Sequence, residues 1–296
     1  MSSTDSTYDP ATYWVAPARN FRTSARLHLQ HLLFQNTLGG LILEHGIEKS
    51  LPADQPLKVA DLACGNGIWL SDLARHLESQ GRTNFQLDGY DVNPINFPSA
   101  HLLPACLQLK ELDVLAPFPE ELVGAYDVVH IRALVSVVPN DDPSHILNQA
   151  LSLLKPGGWL QWEEARADSW TTQAPPGVSK TSTDIIVQLL TAGARARGTT
   201  FEFLGKLDQH FSKARYEEVS FRQVEKRPVD MKAWTEDYLM VWEELPSVFP
   251  TKEQAPQSPM TREAFTDLFL KAVAETEQGL VVHHKAIVVT SGRKAI

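Results

Sequence analysis

The most chemically specific pattern in the chain is an aspartate placed four residues ahead of a Gly-x-Gly turn. Asp61 precedes Gly65 and Gly67, with Ala63, Cys64 and Asn66 between. Two such glycines let the backbone approach a ligand without a Cβ in the way, and a helix starting just after them offers its N-terminal dipole. That is a cofactor cradle. The third glycine of a dinucleotide fingerprint would fall at Leu70, and no Gly-Lys-Ser/Thr follows, so the pattern disfavours a pyrophosphate or a P-loop phosphate. Asp91 lies 24 residues beyond Gly67 and ends another apolar run. Its carboxylate either accepts both hydroxyls of a ribose or opens a turn at Asn93-Pro94. Asp113 closes a third run and His130 and Arg132 a fourth, where a histidine could take a proton, hold a cofactor or sit bonded in the core.

These side chains need a scaffold. Residues 58–63 read as a buried strand, Cys64–Gly67 as the turn, and the segment from Ile68 as a helix. Trp69, Leu70, Leu73, Ala74 and Leu77 keep helical spacing until Gly81. Residues 85–91, 107–113, 126–132 and 159–163 read as further strands, an alternation that predicts a doubly wound α/β sheet. Residues 93–104 carry three prolines, so the helix expected there is short or irregular. Asp142-Pro143 opens a helix, Thr183-Asp184 caps another, and residues 219–229 and 279–290 read as two late strands. Between those two lies a helical insertion of about 231–278, in which Met231, Trp234, Tyr238, Val241 and Leu245 step at three and four. Such an aromatic stripe is either core or the wall of a pocket. Residues 1–50 divide into a polar tail and cap helices, with residues 51–296 as the main domain. Tyr13 and Trp14 stand out as aromatics in the tail, and residues 21–44 are helical in pattern with a break at Gly39-Gly40.

At 296 residues, 43% hydrophobic and 21% charged, the composition is that of a soluble globular protein with a sizeable core. A net charge of −9 argues against nucleic acid or an anionic membrane as a partner. Two cysteines are too few for a disulfide framework or a cysteine-built zinc site, and no acidic cluster has metal-ligand spacing. With no leader pattern or membrane-length apolar run, the expected setting is cytoplasmic. The oligomeric state is left open, a homodimer included.

Asp-x-x-x-Gly-x-Gly resembles motif I of class I S-adenosylmethionine (SAM) methyltransferases. The segments at 26–31, 87–91 and 126–132, with Lys-Pro-Gly-Gly-Trp-Leu-Gln-Trp at 155–162, resemble fungal methyltransferases of secondary metabolism. The resemblance implies a seven-stranded, mostly parallel Rossmann-like sheet with an antiparallel terminal strand. It further implies SAM as cofactor, S-adenosylhomocysteine as product, and a small-molecule substrate. On this reading Asp61, Ala63, Gly65, Gly67, Asp91, Val92, Asp113, Val114 and His130 hold the cofactor, with Asp113 facing the adenine amino group. Tyr13, Trp14, Gln30, Arg132, Trp162, Trp234 and Tyr238 face the acceptor, and His130 is the candidate base. The expected reaction is in-line methyl transfer to N or O of a largely apolar or aromatic secondary metabolite. The alternative is a protein of the same fold that binds SAM without transferring methyl, either a pericyclase-like enzyme or a regulator.

Overall fold

The computed structural model describes residues 20–51 and 55–296. Two N-terminal helices, α1 (Phe21–Leu38) and α2 (His45–Ser50), precede the sheet. Asn20 caps α1 by accepting from the Arg22 amide, and Gly39 ends it in the left-handed conformation. The expected helical run to residue 44 is therefore divided at the Gly39-Gly40 pair.

The sheet begins with β1 (Leu57–Leu62), followed by the glycine turn and α3 (Ile68–Ser79). Trp69, Leu70, Leu73, Ala74 and Leu77 are all buried on one face of α3, as their spacing requires. Next come β2 (Phe85–Asp91) and β3 (Leu107–Glu111). They are joined by short 3₁₀ turns at Pro94–Asn96 and Ala100–Leu102 in place of a full helix. Then follow β4 (Tyr126–Arg132), α4 (Ser144–Leu153) and β5 (Leu154–Ala165). Pro143 occupies the N-cap position of α4, one residue later than expected, and Asp142 Oδ1 accepts from the Ser144 amide at 3.0 Å.

The second half contains β6 (Trp170–Gln173), α5 (Thr181–Ala196), α6 (Leu207–Lys213) and β7 (Tyr216–Glu225). It ends with α7 (Met231–Glu244), α8 (Arg262–Glu277), β8 (Val281–His284) and β9 (Ala286–Lys294). The seven-stranded sheet has the order β3-β2-β1-β4-β5-β9-β7, with β9 antiparallel to both neighbours. Strand order reverses at β1, between β2 and β4, so the carboxyl ends of these strands flank the crevice where such sheets take ligands. No helix among the described residues is long and apolar enough to cross a membrane.

Three local expectations are corrected. The terminal run 279–290 is two strands, not one. β9 joins the main sheet, whereas β8 pairs with β6 in a separate two-stranded sheet. Besides its ladder with β6, β8 is tied to α7, where the Thr235 hydroxyl accepts from the Val282 amide at 2.9 Å. α5 begins two residues before its expected Thr183-Asp184 cap. Its first-turn amides at Ser182 and Thr183 donate instead to the Glu275 carboxylate of α8, at 3.0 and 2.9 Å. β7 ends at Glu225 because residues 228–230 form a turn.

Gly89, in the middle of β2, sets how closely the glycine turn and α3 approach the sheet. A Cβ there would stand 2.4 Å from Leu109 Cδ2, 2.9 Å from Cys64 Sγ and 3.0 Å from Leu70 Cδ1. Gly89→Ala is expected to destabilise the fold by about 1–3 kcal/mol through overpacking. Urea unfolding checks this, and an unchanged midpoint would show that the neighbours yield freely.

Candidate active site

Left-handed backbone at Ala63 (φ 58°), Gly65 (φ 60°) and Gly67 (φ 74°) folds the loop after β1 tightly over the switch point. The Gly67 amide donates to the Cys64 carbonyl, and the Cys64 amide to that of Tyr90. Asp91, at the end of β2, accepts from the Gly65 amide through Oδ2 (2.9 Å) and from the Asn93 amide through Oδ1 (2.9 Å). The carboxylate thus fixes the loop at the tip of β2. α1 lies directly over this loop, since a Cβ at Gly65 would come within 3.1 Å of Leu27 Cδ1.

A cavity of about 840 Å³ runs from this loop to the helical insertion. Ala63, Gly65, Asp91, Val92 and Val114 line its loop end, and residues 132–137 after β4 line its middle. The far wall is aromatic, built by Phe34, Trp170, Trp234, Tyr238, Trp242 and Phe265. Of the residues expected at the acceptor, Gln30, Arg132, Trp234 and Tyr238 border this space. Tyr13 and Trp14 lie outside the described residues.

Five expected site residues do not line the cavity. Trp162 is fully buried among core side chains of the sheet, so its placement at the acceptor is corrected. His130 is fully buried too, with Nδ1 2.7 Å from Asp61 Oδ1 and its ring stacked on Trp69 at 3.6 Å and 2°. It does not line the cavity, where a base or cofactor ligand is expected, and through Asp61 it supports the root of the glycine loop. Asp61 is occupied with His130. Gly67 shapes the turn, where a Cβ would meet Leu109 at 2.9 Å. Asp113 accepts from the Leu115 amide at 2.8 Å and holds the turn that presents Val114.

A buried polar spine ties the cap to the sheet. Arg132 Nε donates to Glu163 Oε2 at 2.6 Å, and its Nη1 donates to His31 Nδ1 at 2.9 Å. His31 Nε2 faces Asp72 on α3 at 2.8 Å. Gln161 adds the segment between α1 and α2 by donating to the Ile42 carbonyl and accepting from the Glu44 amide. Burial alone would raise Glu163, but the charges of Arg132 and His130 outweigh it and hold the carboxyl at about 2. Burial and the Arg132 charge lower His31, which suits a ring nitrogen that must accept from a guanidinium.

The sequence reading missed several cavity residues. Glu164 Oε2 accepts from the Leu134 and Val135 amides at 2.8 and 2.9 Å, and burial pushes its carboxyl up to about 7. Asp237, His284 and Arg26 also line the space. Asp237 could have been suspected, as a carboxylate within the Trp234–Tyr238 stripe of an otherwise apolar helix face.

The loop end of the lining fits a nucleoside cofactor. At the loop end the Asp91 carboxylate borders the space, and Val92 and Val114 offer apolar walls to a flat base. A sheet in this order, with a glycine loop after its central strand and an acidic residue at the tip of the next, is the class I SAM methyltransferase architecture. A family model described as a methyltransferase domain matches residues 35–223, and the chain belongs to that family. It is 36% identical over 169 residues to methyltransferase grgD of a Penicillium species, covering 56% of each chain. It is 33% identical over 150 residues to N-methyltransferase gliN of Aspergillus fumigatus, covering 50% of this chain and 49% of that protein. The matches thus span about half the length of these curated relatives. Among solved structures, the chain is similar to Haemonchus contortus phosphoethanolamine N-methyltransferase 2 in complex with SAM. That likeness has 13% identity and a TM-score of 0.46, over 95% of this chain and 61% of the other.

Proposed function

We propose that this protein transfers the methyl group of SAM to a nitrogen or oxygen of a small, largely apolar or aromatic secondary metabolite. The observation carrying this reading is the continuity of one cavity from the Gly65–Asp91 loop to the aromatic wall, which gives donor and acceptor adjoining space. SAM, when bound, supplies a methyl group on cationic sulfur, open to in-line displacement by an acceptor lone pair. The chain's own contribution is alignment and exclusion of water, and orientation of this kind can lower a barrier by roughly 7–11 kcal/mol. Asp91 would hold the ribose hydroxyls, Val92 and Val114 would flank the base, and Ala63 and Gly65 would let the amino-acid end come close. Gln30, Arg132, Trp234 and Tyr238 would face the acceptor. α1, pinned by Arg132 and His31, would close the cavity from above. Two free cysteines, Cys64 and Cys106, fit a reducing, cytoplasmic setting.

Incubation of the purified chain with methyl-labelled SAM and a fungal metabolite extract tests the reading. The expected result is label in a small molecule with matching release of S-adenosylhomocysteine. Conversion without label would favour a pericyclase-like activity and overturn methyl transfer. Absence of binding heat with either SAM or S-adenosylhomocysteine would remove the cofactor assignment itself.

A further inference from the structure

The aromatic end of the cavity holds a charge that its neighbours do not satisfy. Asp237, on α7, is 1% exposed and lines the cavity, and neither carboxylate oxygen has a hydrogen-bond partner. A buried acceptor in that state is destabilising unless something donates to it. Of the groups that could do so, Arg26, whose Nε is itself without a partner, and the Gln30 amide stand near without meeting hydrogen-bond geometry. Lys226 directs its ammonium to the Tyr238 hydroxyl at 2.9 Å and to the Trp234 ring face, 3.4 Å from the centroid. Tyr238 is in turn bonded to His284 Nδ1 at 3.0 Å. Burial raises the Asp237 carboxyl to about 6, against the opposing pull of Arg26, Lys226 and the nearby Gln30 amide. Those influences oppose the effect of burial on the Asp237 carboxyl.

Its position matters as much as its charge. Leu27 on α1 touches the glycine loop, and Arg26 and Gln30, its neighbours on the same helix, border the cavity with Asp237. The carboxylate therefore borders the same cavity as the loop that would carry the methyl donor. The rest of its surroundings is apolar and aromatic.

We propose that Asp237 is a substrate-binding and specificity-determining residue, which accepts a hydrogen bond from an N–H or O–H carried by an otherwise apolar ring substrate. This rests on the methyl-transfer reading for the identity of the neighbouring ligand. Occupancy by such a donor satisfies the orphan carboxylate and turns a ring of the right shape into a ring in one orientation. A ring of equal size without the donor leaves the carboxylate desolvated and unpaired, which is the stronger source of discrimination.

Indole and benzofuran test this, because they match in shape and differ in the N–H. Their binding to the protein saturated with S-adenosylhomocysteine is measured by ligand-observed NMR for wild type, Asp237→Asn and Asp237→Leu. Wild type is expected to prefer indole by about tenfold or more, as a hydrogen bond to a charged acceptor allows. Asp237→Leu should bring the ratio close to one, and Asp237→Asn, which keeps one acceptor oxygen, should fall between. If the leucine variant does not fold, the reduced ratio in the asparagine variant carries the test. An undiminished preference for indole in the variants, or equal or absent binding of both rings to wild type, overturns the proposal. Binding of S-adenosylhomocysteine, measured in the same samples, separates that failure from failure of the cofactor assignment.

Discussion

Replacing Asp91 by alanine is expected to weaken binding of S-adenosylhomocysteine by about a hundredfold or more in calorimetry. The carboxylate takes the Gly65 and Asn93 amides, one on each oxygen, and lines the loop end of the cavity, where it would accept the ribose hydroxyls. Hydrogen bonds to a charged group contribute about 1.5–3 kcal/mol each, and a tenfold change in affinity corresponds to about 1.4 kcal/mol. The loss of two ligand contacts alone therefore reaches the stated factor. Release of the Gly65 amide adds to it by loosening the loop. Asp91→Asn should retain part of the affinity, because one acceptor oxygen survives. Affinity within threefold of wild type for the alanine variant would show that the nucleoside is not held at the tip of β2.

The second large effect is on stability. Arg132→Leu removes the cation that neutralises Glu163, whose carboxylate is 1% exposed. Breaking a buried pair from one side costs about 3–5 kcal/mol, since the remaining charge is left in a poor solvent. The acid limb of the stability curve should change with it. Glu163 has an ordinary value of 4.5 and a folded value of about 2, so the folded protein binds its proton less readily than the unfolded chain does. This group's stabilisation is fully present above about pH 4.5 and is lost as pH falls through 2; over that window it amounts to about 3 kcal/mol. In Arg132→Leu much of that slope should vanish, because the carboxyl returns toward or above its ordinary range. Urea unfolding between pH 2 and 7 measures both quantities. A loss below 1 kcal/mol at pH 7, with an unchanged acid limb, would mean that His130 alone holds Glu163. His31 loses its donor in the same variant, so hydrogen exchange in α1 should quicken alongside.

The scaffold of the cofactor half was legible in the sequence because its signals are local. The apolar spacing from Trp69 to Leu77 marks the buried face of α3, and the three prolines after Asp91 announce an interrupted crossover. Asp91 could be singled out from its place at a strand end near the reversal of strand order. The acceptor half was less legible. Trp162 alternates along β5 as a strand residue must, but both faces of this sheet are covered, so alternation cannot separate core from pocket. The tie of β8 to α7 joins Thr235 to Val282, 47 positions away.

By itself, then, the sequence determined the layered α/β order of elements and the shape of the glycine turn. Both follow from periodicity and from residues adjacent in the chain, and the motif at Asp61–Gly67 carried the resemblance to the family that the methyltransferase-domain match shows. Only the tertiary structure decided that His130 lies beneath the site, bonded to Asp61 from the neighbouring strand, and that Asp237 borders the cavity with both oxygens unpartnered. The physical reason is that burial and hydrogen-bond satisfaction are properties of what surrounds a side chain. For these residues the surroundings come from segments tens to hundreds of positions away.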